Sequence, residues 1–144
     1  MSEENVDVVR RFIGDADLAA VARDDKAWAA RLEETEGRFG PGFEFVAHAP
    51  AGLIGGRGLD DYRAQLLDWI EPWETYTPRI EELIDLGDRV VVLGQDRGRL
   101  RGAGAEVEGP KGVVIYSFEG DEVVGIELYF DREQGMRAAG LETS

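Results

Sequence analysis

Two apolar runs separated by a short polar segment constrain this chain more than any other feature. The runs cover residues 113–118 and 123–130, and the four residues between them are Glu-Gly-Asp-Glu. β-Branched and aromatic residues on both sides of a polar, glycine-containing tetrad predict a β-hairpin. Apolar residues occupy both faces of each run, so a sheet built on this hairpin must be covered on one face and at least partly on the other. We therefore expect helices on one face, and a second copy of the chain is one way to cover the other.

The alternation of side chains along the hairpin assigns a face to each residue. In the first run, one face carries Val114, Tyr116 and Phe118. In the second run, the row expected to face an interior cavity is Val124, Ile126, Leu128 and Phe130. The row expected to face a partner is Val123, Glu127 and Tyr129.

Charge and composition exclude several classes of function. The chain has 144 residues, of which 16 are basic and 30 acidic, giving a net charge of −14. This charge repels nucleic-acid backbones and anionic membranes, so we expect neither as a partner. The absence of cysteine and the single histidine exclude thiolate chemistry, and we expect no metal site and no cofactor. The length predicts one domain over residues 1–144, and the lack of a membrane-spanning apolar run favours a cytoplasmic location.

The remaining segments show helical or strand periodicity. Predicted helices run from Ser2 to about Ala20, from Lys26 to about Glu36, from Leu59 to about Trp73, and from Arg132 to Ala139. Predicted strands are Phe43–His48, Tyr76–Leu86 and Arg89–Arg101, and the first of them is expected to stop at Pro50. The glycine-rich segment 51–58 is expected to be a flexible loop, because its glycines lack the lysine of a phosphate-binding loop. This order of elements predicts an α+β fold with its helices on one face.

Four segments in this order carry a resemblance to a known superfamily: Glu44–Pro50, Gly55–Tyr62, Ile84–Val92 and Glu127–Asp131. They resemble the SnoaL-like polyketide cyclase branch of the nuclear transport factor 2-like superfamily, whose enzyme relatives include ketosteroid isomerase and limonene epoxide hydrolase. The resemblance implies a cone-like, curved, mixed or antiparallel sheet wrapped by three helices from the N-terminal half, with a short C-terminal helix. It also implies an apolar interior for a small ligand and a homodimer formed through the outer face of the sheet.

The same resemblance suggests His48 as a catalytic residue. In ketosteroid isomerase a carboxylate base follows the valine of the first strand by two positions, and the position that matches after Val46 is His48. An imidazole with an unperturbed pKa of about 6.5 suits proton abstraction if the ring faces the cavity. The alternative is a histidine at the strand end that hydrogen-bonds to backbone. On the final strand the enzyme relatives carry an acid where this chain has Leu128, and Asp131 is expected to cap the last helix.

Asp96 and Tyr116 are two further candidate catalytic residues. Asp96 shares a strand face with Val92, which would place its carboxylate in an apolar cavity and raise its pKa. The competing interpretation is a solvated ion pair with Arg97 or Arg99. Tyr116 is a candidate donor to a substrate oxygen, or else a core tyrosine whose hydroxyl is already hydrogen-bonded.

Aromatic and apolar side chains are expected to line the ligand pocket, namely Trp28, Tyr62, Leu66, Trp69, Ile126 and Leu128. The predicted function is binding of a small hydrophobic or aromatic molecule. The alternative is a cofactor-free isomerase, cyclase or epoxide hydrolase that uses His48 as general base.

Overall fold

The computed structural model describes residues 2–49 and 52–141, which form five helices and seven strands. The helices are α1 (Ser2–Ile13), α2 (Leu18–Arg23), α3 (Asp25–Glu33), α4 (Gly58–Ile70) and α5 (Arg132–Ala138). The strands are β1 (Phe39–Ala49), β2 (Gly52–Arg57), β3 (Trp73–Thr77), β4 (Ile80–Asp85), β5 (Arg89–Leu100), β6 (Val107–Glu119) and β7 (Glu122–Tyr129). Within these ranges no helix has both the length and the apolar character needed to cross a membrane.

The seven strands form one mixed sheet. Their order is β2-β1-β7-β6-β5-β3, and β4 pairs with β5 outside this path. The predicted hairpin is β6 and β7, and its register places Tyr116 opposite Ile126 and Val114 opposite Leu128. β1 and β7 run parallel, whereas the other neighbouring strands are antiparallel. The first strand of the chain therefore lies beside the last.

Helices α1, α3 and α4 pack against the inner face of the curved sheet. Buried residues of α1, α3 and the strands form one apolar cluster, against which the partly buried Leu59, Tyr62 and Leu66 of α4 pack; the cluster comprises Val8, Val9, Phe12, Trp28, Phe43, Phe45, Val90, Val92, Tyr116, Phe118, Val123 and Ile126. The side chains predicted to share a face of β6 contribute to this cluster together. The predicted α+β architecture, with helices from the N-terminal half wrapped around a cone-like sheet, is confirmed.

The first predicted helix is interrupted between α1 and α2. Gly14 adopts a φ of 65°, and its N–H donates to the Arg10 carbonyl at 2.9 Å. Arg31 of α3 stabilises the break, because its guanidinium donates to the carbonyls of Phe12 and Ile13 at 3.0 Å each. The apolar spacing continues across this break, so periodicity alone predicts one helix where the structure has two.

The glycine-rich segment predicted to be a loop is largely a strand. Residues 52–57 form β2, the edge strand antiparallel to β1. Gly55 permits this pairing, because a Cβ there would lie 2.7 Å from the Phe45 carbonyl oxygen. Pro50 and Ala51, the predicted end of the first strand and start of the loop, lie outside the described residues.

Two other strand boundaries differ from the prediction. β1 begins at Phe39, within a Phe-Gly-Pro-Gly segment that was expected only to end a helix. The strand predicted over residues 76–86 is divided at Pro78 and Arg79 into β3 and β4. Both of these strands pair with β5, and the register is the same on the two sides of the interruption, since Thr77 pairs with Arg97 and Ile80 pairs with Gly94. Proline has no backbone N–H to donate to a neighbouring strand, which accounts for the break.

A β-bulge exchanges the predicted faces at the start of β7. Phe118 pairs with Val123 and Ser117 pairs with Gly125, so Val124 is an extra residue without a partner on β6. Val123 is consequently buried in the inner cluster, whereas it was expected on the outer face. Val124 lines a groove on the outer face, whereas it was expected to face the cavity.

Helix α5 covers part of the outer face of the sheet. It begins after Asp131, whose carboxylate accepts a hydrogen bond from the Gln134 N–H at 2.9 Å, as predicted for an N-cap. The helix contributes to a second apolar cluster formed by Val91, Leu93, Val113, Ile115, Tyr129 and Ala139. The chain's own C-terminal helix thus buries part of the face for which a partner subunit was expected.

Replacing Gly135 by alanine tests how closely α5 packs on the sheet. A Cβ at this position would lie 2.5 Å from the Val113 Cβ and 3.0 Å from the Tyr129 Cβ. Because the sheet cannot move easily to make room, we expect Gly135→Ala to lower the free energy of unfolding by about 1–3 kcal/mol. The loss should occur although alanine in place of glycine favours a helix by about 1 kcal/mol. Urea denaturation followed by circular dichroism measures the change. Gly104→Ala is the matched control, since a Cβ there meets nothing within 4 Å; equal stability losses in both variants would contradict the close packing.

Candidate functional site

A cavity of about 390 Å³ lies between the inner face of the sheet and the helices. The helices contribute Phe12, Trp28, Tyr62, Leu66 and Trp69 to its lining. The strands contribute Phe45, Ala47, Val92, Val114, Tyr116 and Leu128, among others. Almost all of this lining is aliphatic or aromatic, so the cavity favours an apolar occupant.

Helix α4 supplies the aromatic wall. Tyr62, Leu66 and Trp69 are spaced by four and three residues and therefore lie on one face of the helix. The Tyr62 ring packs edge-on against Phe45, with centroids 5.3 Å apart and planes at 86°. Trp69 stacks on Phe130 at 4.8 Å and remains 39% exposed. Trp69 thus contributes to both the cavity wall and the protein surface.

The main polar feature of the cavity is a hydrogen bond between two strands. The Tyr76 hydroxyl of β3 donates to Asp96 Oδ2 of β5 at 2.7 Å. Burial raises the pKa of the Asp96 carboxyl, and the hydrogen bond from Tyr76 partly opposes this effect. Arg99, the suggested partner of Asp96, instead forms an ion pair with Glu74 at 2.6 Å. Asp96 therefore lines the cavity, and the solvated ion-pair interpretation is wrong.

Two more tyrosines lie close enough to Asp96 for its charge to affect them. Burial and the charge of Asp96 raise the pKa of Tyr62 to about 12. Burial, followed by the influence of Tyr62 and Asp96, raises the pKa of Tyr116 well above its ordinary value. The pKa of Tyr76 is also raised, first by burial and then by Asp96. These four residues, called the acid–tyrosine cluster below, combine one carboxyl group with three hydroxyl groups that stay protonated at neutral pH.

His48 lies on the opposite face of the sheet from the cavity. Its ring stacks on Tyr129, with centroids 4.2 Å apart and planes at 7°. Its Nε2 is 3.8 Å from Glu127 Oε2, which accepts a hydrogen bond from the Tyr129 hydroxyl at 2.9 Å. The preceding residue, Ala47, lines the cavity, and successive residues of a strand point to opposite faces. The side chain of His48 therefore does not have the inward orientation that a base within the cavity requires.

The other predicted lining residues divide into two groups. Trp28, Tyr62, Leu66, Trp69 and Leu128 line the cavity, whereas Ile126 does not. Ile126 is only 1% exposed and packs within the inner apolar cluster. The assignment of Ile126 to the cavity is therefore corrected to the core. Leu128 stands where the resemblance implies an acid in the enzyme relatives, so this part of the wall is apolar.

Tyr76 was not predicted as a site residue, although it makes the only side-chain hydrogen bond to Asp96 among the described residues. Its signal in the sequence was its place on the strand before the one that carries Asp96. That signal was insufficient because the register along β5 shifts between Ile80 and Glu82, an irregularity that the sequence does not indicate. In the structure Tyr76 pairs with Gly98 and Thr77 pairs with Arg97.

Across residues 2–49 and 52–141, no three histidine, aspartate or glutamate side chains are grouped so that they could hold a metal ion.

Asp96→Asn tests whether the folded protein holds this carboxylate in an unfavourable environment. Asparagine preserves the shape of the side chain and an oxygen that can accept the Tyr76 hydrogen bond. Burial raises the folded-state pKa above the reference value of 3.8, so the parent loses stability as the pH rises from that value through the folded-state pKa. The variant lacks this loss. We expect it to exceed the parent in free energy of unfolding at neutral pH by about 1 kcal/mol.

Urea denaturation across a series of pH values provides the measurement for Asp96→Asn. The difference between variant and parent should be largest at neutral pH and should close in acid, where Asp96 is protonated in both states. Asp88→Asn, at an exposed turn, is a control with the same change in net charge. A stability difference that does not vary with pH would contradict the buried position of Asp96.

Comparisons with solved structures show the fold. A putative SnoaL-like polyketide cyclase from Jannaschia sp. CCS1 is 21% identical, with a TM-score of 0.66 over 88% of this chain and 84% of that one. A protein with a ketosteroid isomerase-like fold from Catenulispora acidiphila, solved in complex with trimethylamine, is 19% identical, with a TM-score of 0.57 over 81% of this chain and 92% of that one. TerC, co-crystallised with polyporic acid, is 20% identical, with a TM-score of 0.61 over 89% of this chain and 92% of that one.

A comparison with curated proteins finds no match. The family model of the SnoaL-like domain matches residues 24–126, which is well over half of the 144 residues. This match covers β1, α4 and most of the sheet, the elements that build the cavity, and it confirms the resemblance seen in the sequence. The chain therefore belongs to the SnoaL-like domain family.

Proposed function

We propose that this protein binds a small, largely apolar molecule in the cavity, with the polar end of that molecule at the acid–tyrosine cluster. The observation that carries the proposal is the composition of the cavity of about 390 Å³, which has largely apolar walls and a hydrogen-bonded pair of polar side chains, Tyr76 and Asp96. Ligand sites in proteins commonly have this size and this combination of an apolar lining with a few polar groups. Two proteins of similar fold hold small molecules in their solved structures, one trimethylamine and the other polyporic acid.

The distribution of polar groups supports one orientation of the ligand. Asp96 and Tyr76 belong to β5 and β3, whereas Phe45, Ala47 and Leu128 belong to β1 and β7. The apolar body of a ligand would lie against the second group, because burying apolar surface is favourable there. Its polar end would reach the first group, whose hydrogen-bonding atoms would otherwise face an apolar space.

Filling the cavity tests the proposal. Ala47→Phe places a ring in the cavity, whereas Val46→Phe places the same ring on the outer face of the same strand. We expect Ala47→Phe to weaken the binding of a neutral aromatic probe such as 2-naphthol by at least about tenfold, since an occupied cavity cannot accept a second ring. Val46→Phe should bind like the parent. Isothermal titration calorimetry and quenching of the fluorescence of the cavity tryptophans measure the affinity. Equal binding of the probe by both variants would contradict the proposal.

The buried carboxyl group favours one catalytic alternative. Asp96, in place of His48, would remove a proton from a carbon beside a substrate carbonyl. A cofactor-free isomerase returns that proton to another carbon, whereas in a cyclase the enolate carbon attacks a second carbonyl and the oxygen of that carbonyl takes the proton. The hydroxyls of Tyr62 and Tyr116 would donate hydrogen bonds to the enolate oxygen formed in between. A pKa raised by burial suits such a base, because it brings the carboxylate closer to the basicity that proton abstraction requires.

Activity assays distinguish catalysis from binding alone. The parent is assayed for steroid enone isomerisation, polyketide cyclisation and epoxide hydrolysis. If it is active, Asp96→Asn should lower kcat by at least about a hundredfold, whereas His48→Ala should leave kcat unchanged because His48 faces away from the cavity. Loss of activity in His48→Ala with retention in Asp96→Asn would contradict this assignment. A parent that is inactive on all three substrates argues for binding alone.

A homodimer and a cytoplasmic location stay predictions. Leu53 of β2 is an apolar side chain that is 70% exposed and pairs with His48 on the outer face of the sheet. Such a residue supports association through this face, although α5 already covers another part of it. Sedimentation of a monomer at micromolar concentration would contradict the dimer.

A further inference from the structure

The carboxylate in the cavity lacks a counter-charge. Its hydrogen-bonding partners are the neutral hydroxyl of Tyr76, at 2.7 Å, and the backbone of Arg79. Among the ion pairs formed by the described residues, none includes Asp96. A buried charge is stabilised only when an opposite charge or several hydrogen bonds compensate for its lost hydration. The cavity therefore offers a negative group whose ionic partner the chain does not supply.

Aromatic rings form the walls beside this carboxylate. The rings of Trp69 and Tyr76 stand perpendicular, with centroids 6.4 Å apart and planes at 87°. Tyr62 and Tyr116 line the same cavity. The negative faces of aromatic rings attract cations, and sites that recognise quaternary ammonium groups are built from such rings. The neighbourhood of Asp96 is thus suited to a positive group by its rings as well as by its charge.

The other charges around the cavity also favour a cation. Arg79 is the only basic residue in the described lining, and its guanidinium is engaged with Glu108 at 3.1 Å. Asp68 adds a second carboxylate to the lining. The whole chain carries a net charge of −14, which attracts cations over long range. These charges would repel an anionic ligand.

We propose that the ligand of this cavity is an organic cation, an ammonium or quaternary ammonium group on an apolar body, with its positive charge beside Asp96 and the rings of Trp69 and Tyr76. This inference rests on the proposed function above and specifies its ligand class. A neutral ligand that accepts a hydrogen bond, such as a ketone, is the competing class. To accept a hydrogen bond from Asp96 itself, such a ligand would require the carboxyl group to be protonated, whereas a cation requires Asp96 to be ionised.

Two probes of equal shape separate the two classes. Phenyltrimethylammonium carries a permanent charge, and tert-butylbenzene has the same shape with a carbon atom in place of the nitrogen. We expect the cation to bind at least about tenfold more tightly to the parent at neutral pH, as for a desolvated cation against aromatic rings and a carboxylate. Titration calorimetry at low ionic strength gives both affinities.

The pH dependence supplies an independent readout, because neither probe titrates. The titratable or charged groups that line the cavity with Asp96 include Tyr76 and Arg79 from the β3–β4 segment, Tyr62 and Asp68 from α4, and Tyr116 from β6. Tyrosine and arginine keep their charge state from mildly acidic to neutral pH, and burial raises the pKa of Asp96, so the affinity should follow the ionisation of Asp96. The affinity for the cation should rise with pH as Asp96 ionises and then level off. A ligand that needs the protonated acid would show the opposite slope.

Variants assign the effect to one carboxyl group. Asp96→Asn should abolish the preference for the cation while the neutral probe still binds, because the cavity keeps its shape. Asp68→Asn is the control within the same lining and should reduce the preference only slightly, since Asp68 is exposed. Trp69→Leu should weaken the binding of phenyltrimethylammonium more than the binding of tert-butylbenzene.

The outcomes that overturn the inference differ from those that overturn the proposed function. If tert-butylbenzene binds as tightly as phenyltrimethylammonium, or if the affinity for the cation falls as pH rises, the ligand is not a cation although the cavity still binds apolar molecules. If neither probe nor 2-naphthol binds, both the inference and the proposed function fail.

Discussion

The parallel pairing of β1 with β7 is the interaction on which the site depends. It joins the first strand of the chain to the last, and its register places Ala47 opposite Leu128 and His48 opposite Tyr129. The first pair lines the cavity, whereas the second pair stacks on the outer face. A slip of one residue would exchange these faces, because side chains along a strand alternate. One register therefore decides both that the wall here is apolar and that the histidine is outside.

The opposite wall of the cavity shows the compromise between stability and a usable site. A carboxyl group and three tyrosine hydroxyls occupy a space that aliphatic side chains could fill with less loss of hydration. The hydrogen bond from Tyr76 to Asp96 makes this arrangement tolerable, since it supplies one of the donors that water would otherwise provide. Departures from an apolar core of this kind are expected at functional sites rather than in structural cores.

Local patterns in the sequence were sufficient for the elements that each carry their own periodicity. The alternation of Val114, Tyr116 and Phe118 predicted the inner face of β6, and the spacing of Tyr62 and Trp69 predicted the wall formed by α4. The features that were missed depend on residues far away in the chain. The break at Gly14 is fixed by the side chain of Arg31, and β2 exists only because β1 provides its hydrogen-bonding partner. The bulge at Val124 has no local signal in the sequence that distinguishes it from a regular strand residue.

The positions of the polar groups in the site also depend on contacts between residues that are distant in the chain. These contacts place the polar groups on other strands than the resemblance implies. The resemblance implies catalytic residues on the first and last strands, at the positions where this chain has His48 and Leu128. The structure turns His48 outward and leaves Leu128 as an apolar wall, so the polar groups lie across the cavity on β3 and β5. A ligand bound as we propose places its reactive or charged end toward Tyr76 and Asp96 and its apolar end toward β1 and β7. This orientation follows from two facts together, the alternation along β1 and the register of β3 on β5, and the second of these depends on the shift of register between Ile80 and Glu82.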